Sequence, residues 1–351
     1  MYKSIDNFPD PSLAPSAPAL AATRGWRIAA VVPSFRAADT VCDVVRRIGP
    51  AVERIYVIDD ACPDGSGAAV AAAFPDGRVT VLRNARNLGV GGAVKRGYRQ
   101  ALADGMDIAV KIDADGQMDP AAIPALVAPI VAGAADYAKG NRFDRSHPIA
   151  RAAAPAGSRR MPAGRRLGNN VASFLHKWIT GYWHIADPAN GYTALHRTAL
   201  ERLDLDRLAD CYFFETDMLF QLGLADAVVV DVAVPARYGS ERSGLRIRNV
   251  LLKYPLLALR RCVRRIWIKY FLQEFNVASL EIAVGAPLFA TGMLVGLFEW
   301  WEALRTGEPR TAGTVMFAAL PIILGFQLLL SAVSYDIARR PTVPLADPDR
   351  P

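Results

Sequence analysis

The chain has 351 residues, more than one ordinary core organises, so a main domain with an appendage is expected. Apolar residues make up 52% and charged residues 21%, with a mean hydropathy of +0.16, which excludes disorder along most of the length. Cys42, Cys62, Cys211 and Cys262 form no C-x-x-C pair, which excludes a disulfide framework or zinc knuckle and points to a reducing, cytosol-facing compartment. The net charge of +7 is concentrated: Arg237 to Lys269 carry ten Lys or Arg against a single acid, Glu241.

In chain order, residues 1–25 are proline-rich with no apolar h-region and read as a flexible tail. RIAAVVPSF (27–35) is a buried strand, followed by a helix ending near Gly49-Pro50. RIYVIDD (54–60) is a second strand ending in acids, GSGAAVAAAF a helix and VTVLRN (79–84) a third strand. GGAVKRGYRQALADG carries a helix, DIAVKIDAD (107–115) is a fourth strand ending in acids, and DYAKGNRF (136–143) a fifth. This alternation predicts an α/β fold, a doubly wound and mainly parallel sheet with helices on both faces. Ligands on such sheets bind at the carboxyl ends of the strands, here Pro33-Ser34, Asp59-Asp60, Asn84 and Asp113-Asp115.

Residues 144–163, rich in small residues, Pro and Arg, form a connection of the length found in disordered segments or functional lids. A helix near 165–180, HIADPANGYTALHR, a helical FFETDMLFQLGL and a closing strand at 228–238 follow. YGSERSG (238–244) then leads into the basic segment, where Arg242 and Ser243 suit a phosphate group; a plain charged turn is the competing reading. Beyond it, Arg260, Arg261, Arg264 and Arg265 alternate with Leu256, Leu257, Val263, Ile266, Trp267 and Ile268, an amphipathic pattern for anionic lipid headgroups.

Residues 282–298 and 311–335 carry no charge. At ~1.5 Å per residue they reach ~26 Å and more than the ~30 Å hydrocarbon thickness, which predicts two transmembrane helices. Trp300 and Trp301 read as interfacial anchors and Glu281 as a side chain reaching for water. A buried soluble hairpin is the alternative. Arg339, Arg340 and the basic segment outweigh the two arginines of the linker 299–310, so the positive-inside rule places the N-terminal domain and both termini in the cytoplasm. The adjoining spans argue against a nucleic-acid partner. The expected divisions are a tail at 1–25, a catalytic domain at 26–245, juxtamembrane helices at 246–278, a membrane hairpin at 279–338 and a cytoplasmic tail at 339–351.

Asp113 and Asp115 stand two apart where a strand breaks into a turn, with Gln117 a further oxygen nearby. Mg²⁺ or Mn²⁺ takes oxygen ligands and keeps waters and substrate phosphates, so few protein ligands suffice. Acids after a strand are also ordinary turn residues. NLGVGGA resembles a dinucleotide fingerprint but has Val94 at the third small position and follows the third strand, and a helix-entry turn explains its glycines equally. Asn84 and Asn87 face a nucleotide or form Asx turns; Glu215 and Asp217 are catalytic or structural on equal terms; His176, His184 and His196 read as structural; Cys62 has no partner for nucleophilic chemistry.

The succession VPSF, VIDDACPDGS, NLGVGGA, DADGQMDP, GNRF, DPANGY and FFETDML over residues 27–245 resembles the family 2 glycosyltransferases, and within them the dolichyl-phosphate mannose synthase-like enzymes. The resemblance implies a GT-A fold and metal-dependent transfer of a hexose, with inversion, from a nucleotide-diphosphate sugar to undecaprenyl or dolichyl phosphate at the cytoplasmic membrane. It implies that Pro33 shapes the base pocket, that Asp60 with Asp59 contacts the nucleoside, and that Asp113, Asp115 and Gln117 hold nucleotide and metal. Arg142 matches an arginine that meets phosphate groups, Arg165 or Arg166 a second such residue, and Asp187 an acid lining the sugar pocket. Met118 departs from the histidine usual there. Membrane-anchored members can form tetramers, and the oligomeric state is open.

A lipid phosphate is already anionic at pH 7, its second pKa being ~6, and needs no general base, so such an enzyme works by positioning and electrostatics. Two alternatives stand beside this reading. A processive polysaccharide synthase is disfavoured by the absence of a Q-x-x-R-W motif. A non-catalytic nucleotide-sugar-binding protein is disfavoured by the intact acidic motifs.

Overall fold

The structure, a computed structural model, describes residues 23–142, 173–234 and 247–346, with side chains of 247–254 excepted. Arg165, Arg166, Arg242 and Ser243, the tail and the loop 144–163 lie outside the described residues. The chain divides into two compact units, Met1–Leu259 with Pro341–Pro351, and Arg260–Arg340.

The first unit is built on strands β1 (Ile28–Ser34), β2 (Arg54–Asp59), β3 (Val79–Arg83), β4 (Ile108–Lys111), β5 (Tyr137–Asn141), β6 (Thr193–His196) and β7 (Val229–Ala233). They form one sheet in the order β3-β2-β1-β4-β6-β5-β7. The β1–β2, β2–β3, β1–β4 and β5–β7 pairs are parallel, and β6 runs antiparallel to both β4 and β5. Side-chain alternation divides the core between the faces. Ile28, Ala30, Val32, Ile108 and Val110 pack with helices α1 (Val41–Arg47), α2 (Ser66–Ala73) and α4 (Ile123–Val131). Ala29, Val31, Ala109, Tyr137 and Leu195 pack with α3 (Gly89–Ala103), α5 (Arg197–Arg202) and α6 (Phe214–Leu224).

Three particulars differ from the sequence reading. The fourth strand ends at Lys111, so Asp113 and Asp115 lie in the turn beyond it. TALH, part of a stretch to which the sequence reading assigned no element, is β6; four residues are too few to show a period. Residues 341–346 are packed: Leu345 is buried in the core and its N–H donates to Asp136 Oδ1 (2.7 Å), whose Oδ2 accepts from Val228 N (2.7 Å).

Helix α7 (Ile247–Trp267) runs across the boundary between the units. Its described part exposes an apolar stripe of Leu256, Leu259, Val263 and Trp267. The second unit contains α8 (Val277–Thr306) and α9 (Ala312–Ala338), both long and apolar enough to cross a membrane. A capping box of Asn276 and Ser279 starts α8, and Gly307, at φ +72°, ends it. Small residues let α8 and α9 approach closely: a Cβ on Gly325 would lie 2.5 Å from Phe289 N. Leu294, Phe298, Phe317 and Ile323 remain exposed.

One charged residue of this unit is not where the amphipathic pattern put it. Arg265 is buried, with its terminal nitrogens 2.8 and 2.9 Å from the two oxygens of Asp336. Glu281 accepts a hydrogen bond from Ser331 Oγ (2.7 Å) on α9. A buried charge needs a paired partner, and α9 supplies one that helical periodicity cannot show.

Candidate functional site

Chain order reverses between β1 and β4, and the crevice at such a switch point lies outside the strand carboxyl ends. Ser34, Asp59 and Arg83 share one register row there, with Asp60 N bonded to Ser34 O and Asn84 N to Asp59 O. Pro33 is half-buried at the end of β1. Asp59 is buried, its Oδ1 accepting from Cys62 N (2.8 Å) and its Oδ2 from Arg83 Nε (3.1 Å). Asp60, also buried, accepts from Asn84 Nδ2 (2.7 Å) and Leu88 N (2.8 Å) at Oδ1 and from Gly89 N (2.8 Å) at Oδ2. An anion against the first amides of α3 complements the helix dipole.

These bonds resolve the NLGVGGA ambiguity. Asn84 serves Asp60, and Asn87 Oδ1 accepts from Gly89 N (3.0 Å). A Cβ on Gly89 would lie 2.5 Å from Asp210 O and one on Gly91 2.2 Å from Ala209 O, so the glycines make room for the 209–210 backbone. Asp217, fully buried, accepts from Ala209 N (2.9 Å) and is structural.

Beyond β4 the chain turns sharply. Gly116 has φ +75°, Gln117 N donates to Asp115 Oδ1 (2.9 Å), and Thr40 Oγ1 donates to Ala114 O (2.6 Å). Met118 Sδ lies 3.4 Å from Asp113 N, so the residue departing from the family pattern packs behind the first acid. A Cβ on Gly191 would lie 2.4 Å from Lys111 Nζ and 2.9 Å from Asp113 Oδ2, and the absence of a side chain there keeps that carboxylate open. Asp113, Asp115 and Gln117 are the oxygen donors that could hold a cation.

Arg142 follows β5 and Asp187 precedes β6. Arg142 Nε is 2.7 Å from Asp187 Oδ2 and a terminal nitrogen 3.1 Å from Oδ1, so the two residues the sequence singled out meet as a pair. The DPANGY loop is pinned further by Asn190 Nδ2 to Gly140 O (2.6 Å) and by Ala186 N to Asp231 Oδ2 (2.7 Å).

A buried polar row lies beneath. Lys111, Thr193, Lys139 and Asp231 are register partners on four neighbouring strands. Lys111 Nζ contacts Asp113 Oδ1 (2.8 Å), Glu215 Oε1 (3.1 Å) and Gly191 O (3.1 Å). Lys139 Nζ contacts Asn190 O (2.6 Å) and Glu215 Oε2 (3.4 Å). Burial works against charge on both amines; at Lys111 it is outweighed by Asp113 and Glu215, which raise the pKa, whereas at Lys139 Glu215 and Asp187 do not compensate and it falls. Sequence reasoning passed over both lysines and left Glu215 undecided. The signal was a lysine inside each of two otherwise buried strands.

The sequence signature described as "Glycosyl transferase family 2" matches residues 29–204, half of the chain. The chain is 27% identical over 219 residues to the undecaprenyl-phosphate mannosyltransferase of Micrococcus luteus, covering 59% of this chain and 82% of that protein. It is 29% identical over 238 residues to the polyprenol monophosphomannose synthase of Mycolicibacterium smegmatis, covering 65% and 85%. With the dolichol-phosphate mannosyltransferase of Pyrococcus furiosus it shares 25% identity over 306 residues, 86% of this chain and 79% of that one. In fold it is similar to glucosyl-3-phosphoglycerate synthase from Mycobacterium tuberculosis, solved with Mn²⁺, UDP and phosphoglyceric acid, at TM-score 0.52 and 22% identity, covering 70% of this chain and 81% of that one. The sheet, the acids gathered at its carboxyl edge and the matched signature together make this chain a member of glycosyl transferase family 2, a glycosyltransferase.

Proposed function

We propose that the protein transfers a hexose, with inversion, from a nucleotide-diphosphate sugar to a polyprenyl phosphate at the cytoplasmic face of a membrane. The observation that supports this reading is that Asp113 and Asp187, each ion-paired to a neighbouring cation, follow β4 and precede β6 of the same sheet, with Lys111 bonded to Asp113 and Gly191 and Lys139 to Asn190. The names of the Micrococcus, Mycolicibacterium and Pyrococcus relatives supply the acceptor class.

The site suits Mg²⁺ or Mn²⁺. Its donors are all oxygen, and the bare Gly191 leaves Asp113 Oδ2 accessible. Mg²⁺ and Mn²⁺ keep waters and substrate phosphates in their shell, so few protein ligands suffice. Asp113, Asp115 and Gln117 would hold it, and when bound it supplies neutralising charge for the departing diphosphate.

The remaining work falls to the protein. Pro33, Asp59 and Asp60 border the nucleoside; Arg142 stabilises phosphate charge; Asp187, oriented by Arg142, faces the sugar. Arg142, either Arg165 or Arg166, Arg242 and Ser243 are proposed to meet the acceptor phosphate.

The helices α8 and α9 serve as membrane spans, and the stripe on α7, flanked by Arg260, rests on anionic lipid. The return of residues 341–346 to the first unit supports a hairpin whose two ends share the cytoplasmic side.

Incubating membranes bearing the protein with radiolabelled UDP- and GDP-hexoses tests the proposal. Label in the chloroform–methanol fraction, released by mild acid, is expected. Label in polymer would favour a processive synthase, and binding without transfer would overturn catalysis.

A further inference from the structure

Glu215 opens α6 and reaches two buried lysines at once, with Oε1 3.1 Å from Lys111 Nζ and Oε2 3.4 Å from Lys139 Nζ. Each lysine also holds a different side of the site: Lys111 the Asp113 carboxylate and the Gly191 carbonyl, Lys139 the Asn190 carbonyl. The lysines are not adjacent. Thr193 of β6 stands between them in the register row, and the Glu215 carboxylate reaches the lysine on either side of it.

We infer that Glu215 is a positioning residue: it anchors Lys111 and Lys139 so that Asp113 keeps its negative charge available to a divalent cation while the Asn190–Gly191 backbone stays against it. The inference rests on the metal reading proposed above. The physical reason is charge sharing. Two buried ammonium groups face Glu215 and Asp113, and as long as Glu215 takes part of the Lys111 charge, Asp113 is only half committed to that lysine. Neutralising Glu215 leaves Asp113, among the described residues, as the one carboxylate paired with Lys111. The ion pair tightens, and the affinity of the turn for a cation falls although no proposed ligand has been altered.

The test is Mn²⁺ binding to the full-length protein in detergent, read from the free-Mn²⁺ electron paramagnetic resonance signal with UDP or GDP present. Glu215→Gln is expected to weaken binding at least tenfold. Glu215→Asp keeps the charge but is one methylene too short to span both lysines, and is expected to weaken binding about threefold; it decides the question if Glu215→Gln does not fold. Asp217→Asn, a buried acid two residues along the same helix, is expected to leave Mn²⁺ affinity within twofold. Equal loss in Asp217→Asn and Glu215→Gln would show mere damage to α6 and overturn the inference. Wild-type affinity in both Glu215 variants, with binding lost in Asp115→Ala, would overturn it while leaving the metal reading standing. Unchanged binding in Asp115→Ala would instead remove the metal reading itself.

Discussion

Arg142 holds Asp187 by two nitrogens, Nε at 2.7 Å and a terminal nitrogen at 3.1 Å, while the Asp187 side chain is only 3% exposed. A planar guanidinium makes such a fork and a lysine ammonium does not. Arg142→Lys is therefore expected to retain the fold but to lower kcat by about 10²–10³-fold, the range for loss of a preorganised electrostatic stabiliser. Single-turnover transfer of labelled hexose measures it, and a variant transferring at the wild-type rate would take Arg142 out of the reaction.

Asp115→Ala should abolish the response to divalent metal. Loss of several kcal/mol of charge stabilisation corresponds to a fall on the order of 10²–10³-fold in rate. The measurement is transfer against Mn²⁺ concentration, with a flat residual rate expected. Full metal-stimulated activity would refute the assignment.

Gly191→Ala places a methyl group 2.4 Å from Lys111 Nζ, in a layer where neither neighbour can leave without breaking an ion pair. Overpacking of this kind costs about 1–3 kcal/mol. A lowered melting temperature together with lost transfer is expected. Gly49→Ala, where nothing lies within 4 Å of the added Cβ, is the control that should behave as wild type.

Stability should fall on acidification through His176. Burial, with help from the Lys139 ammonium, lowers its imidazole from 6.5 to about 4. Between those values the unfolded chain binds the proton and the folded one does not, so this contribution is complete above pH 6.5 and lost as pH falls towards 4. Its full size is about 3 kcal/mol. Melting temperatures across that range, compared with those of His176→Gln, should show a shallower slope in the variant; identical slopes would exclude the residue.

Much of the fold was legible because β1 and β2 are apolar runs ending in Ser34 and Asp59, and β4 is an apolar run followed two residues on by Asp113, so these polar residues mark the carboxyl edge. The acids and Arg142 could be read for the same reason, being polar residues at strand ends. Lys111 and Lys139 could not. Their significance lies in standing on either side of Thr193, and register between strands 28 residues apart in sequence is absent from any local pattern. Arg265 failed in the opposite way: helical spacing assigned it to the lipid-facing set, and only the later Asp336 draws it inward. Asp60 was legible as a polar group at the edge but not as the acceptor for the first amides of α3, which depends on a loop closing 28 residues on.

Leu345 comes after α8 and α9 in the chain, yet it fills a place in the core beside Asp136 and Val228. During synthesis on the ribosome the catalytic domain therefore cannot reach its final packing until both apolar helices have already emerged. Completion of the enzyme is thereby timed to follow synthesis of its two long apolar helices, and a nascent chain arrested before α9 would carry every proposed catalytic side chain in a domain still lacking Leu345.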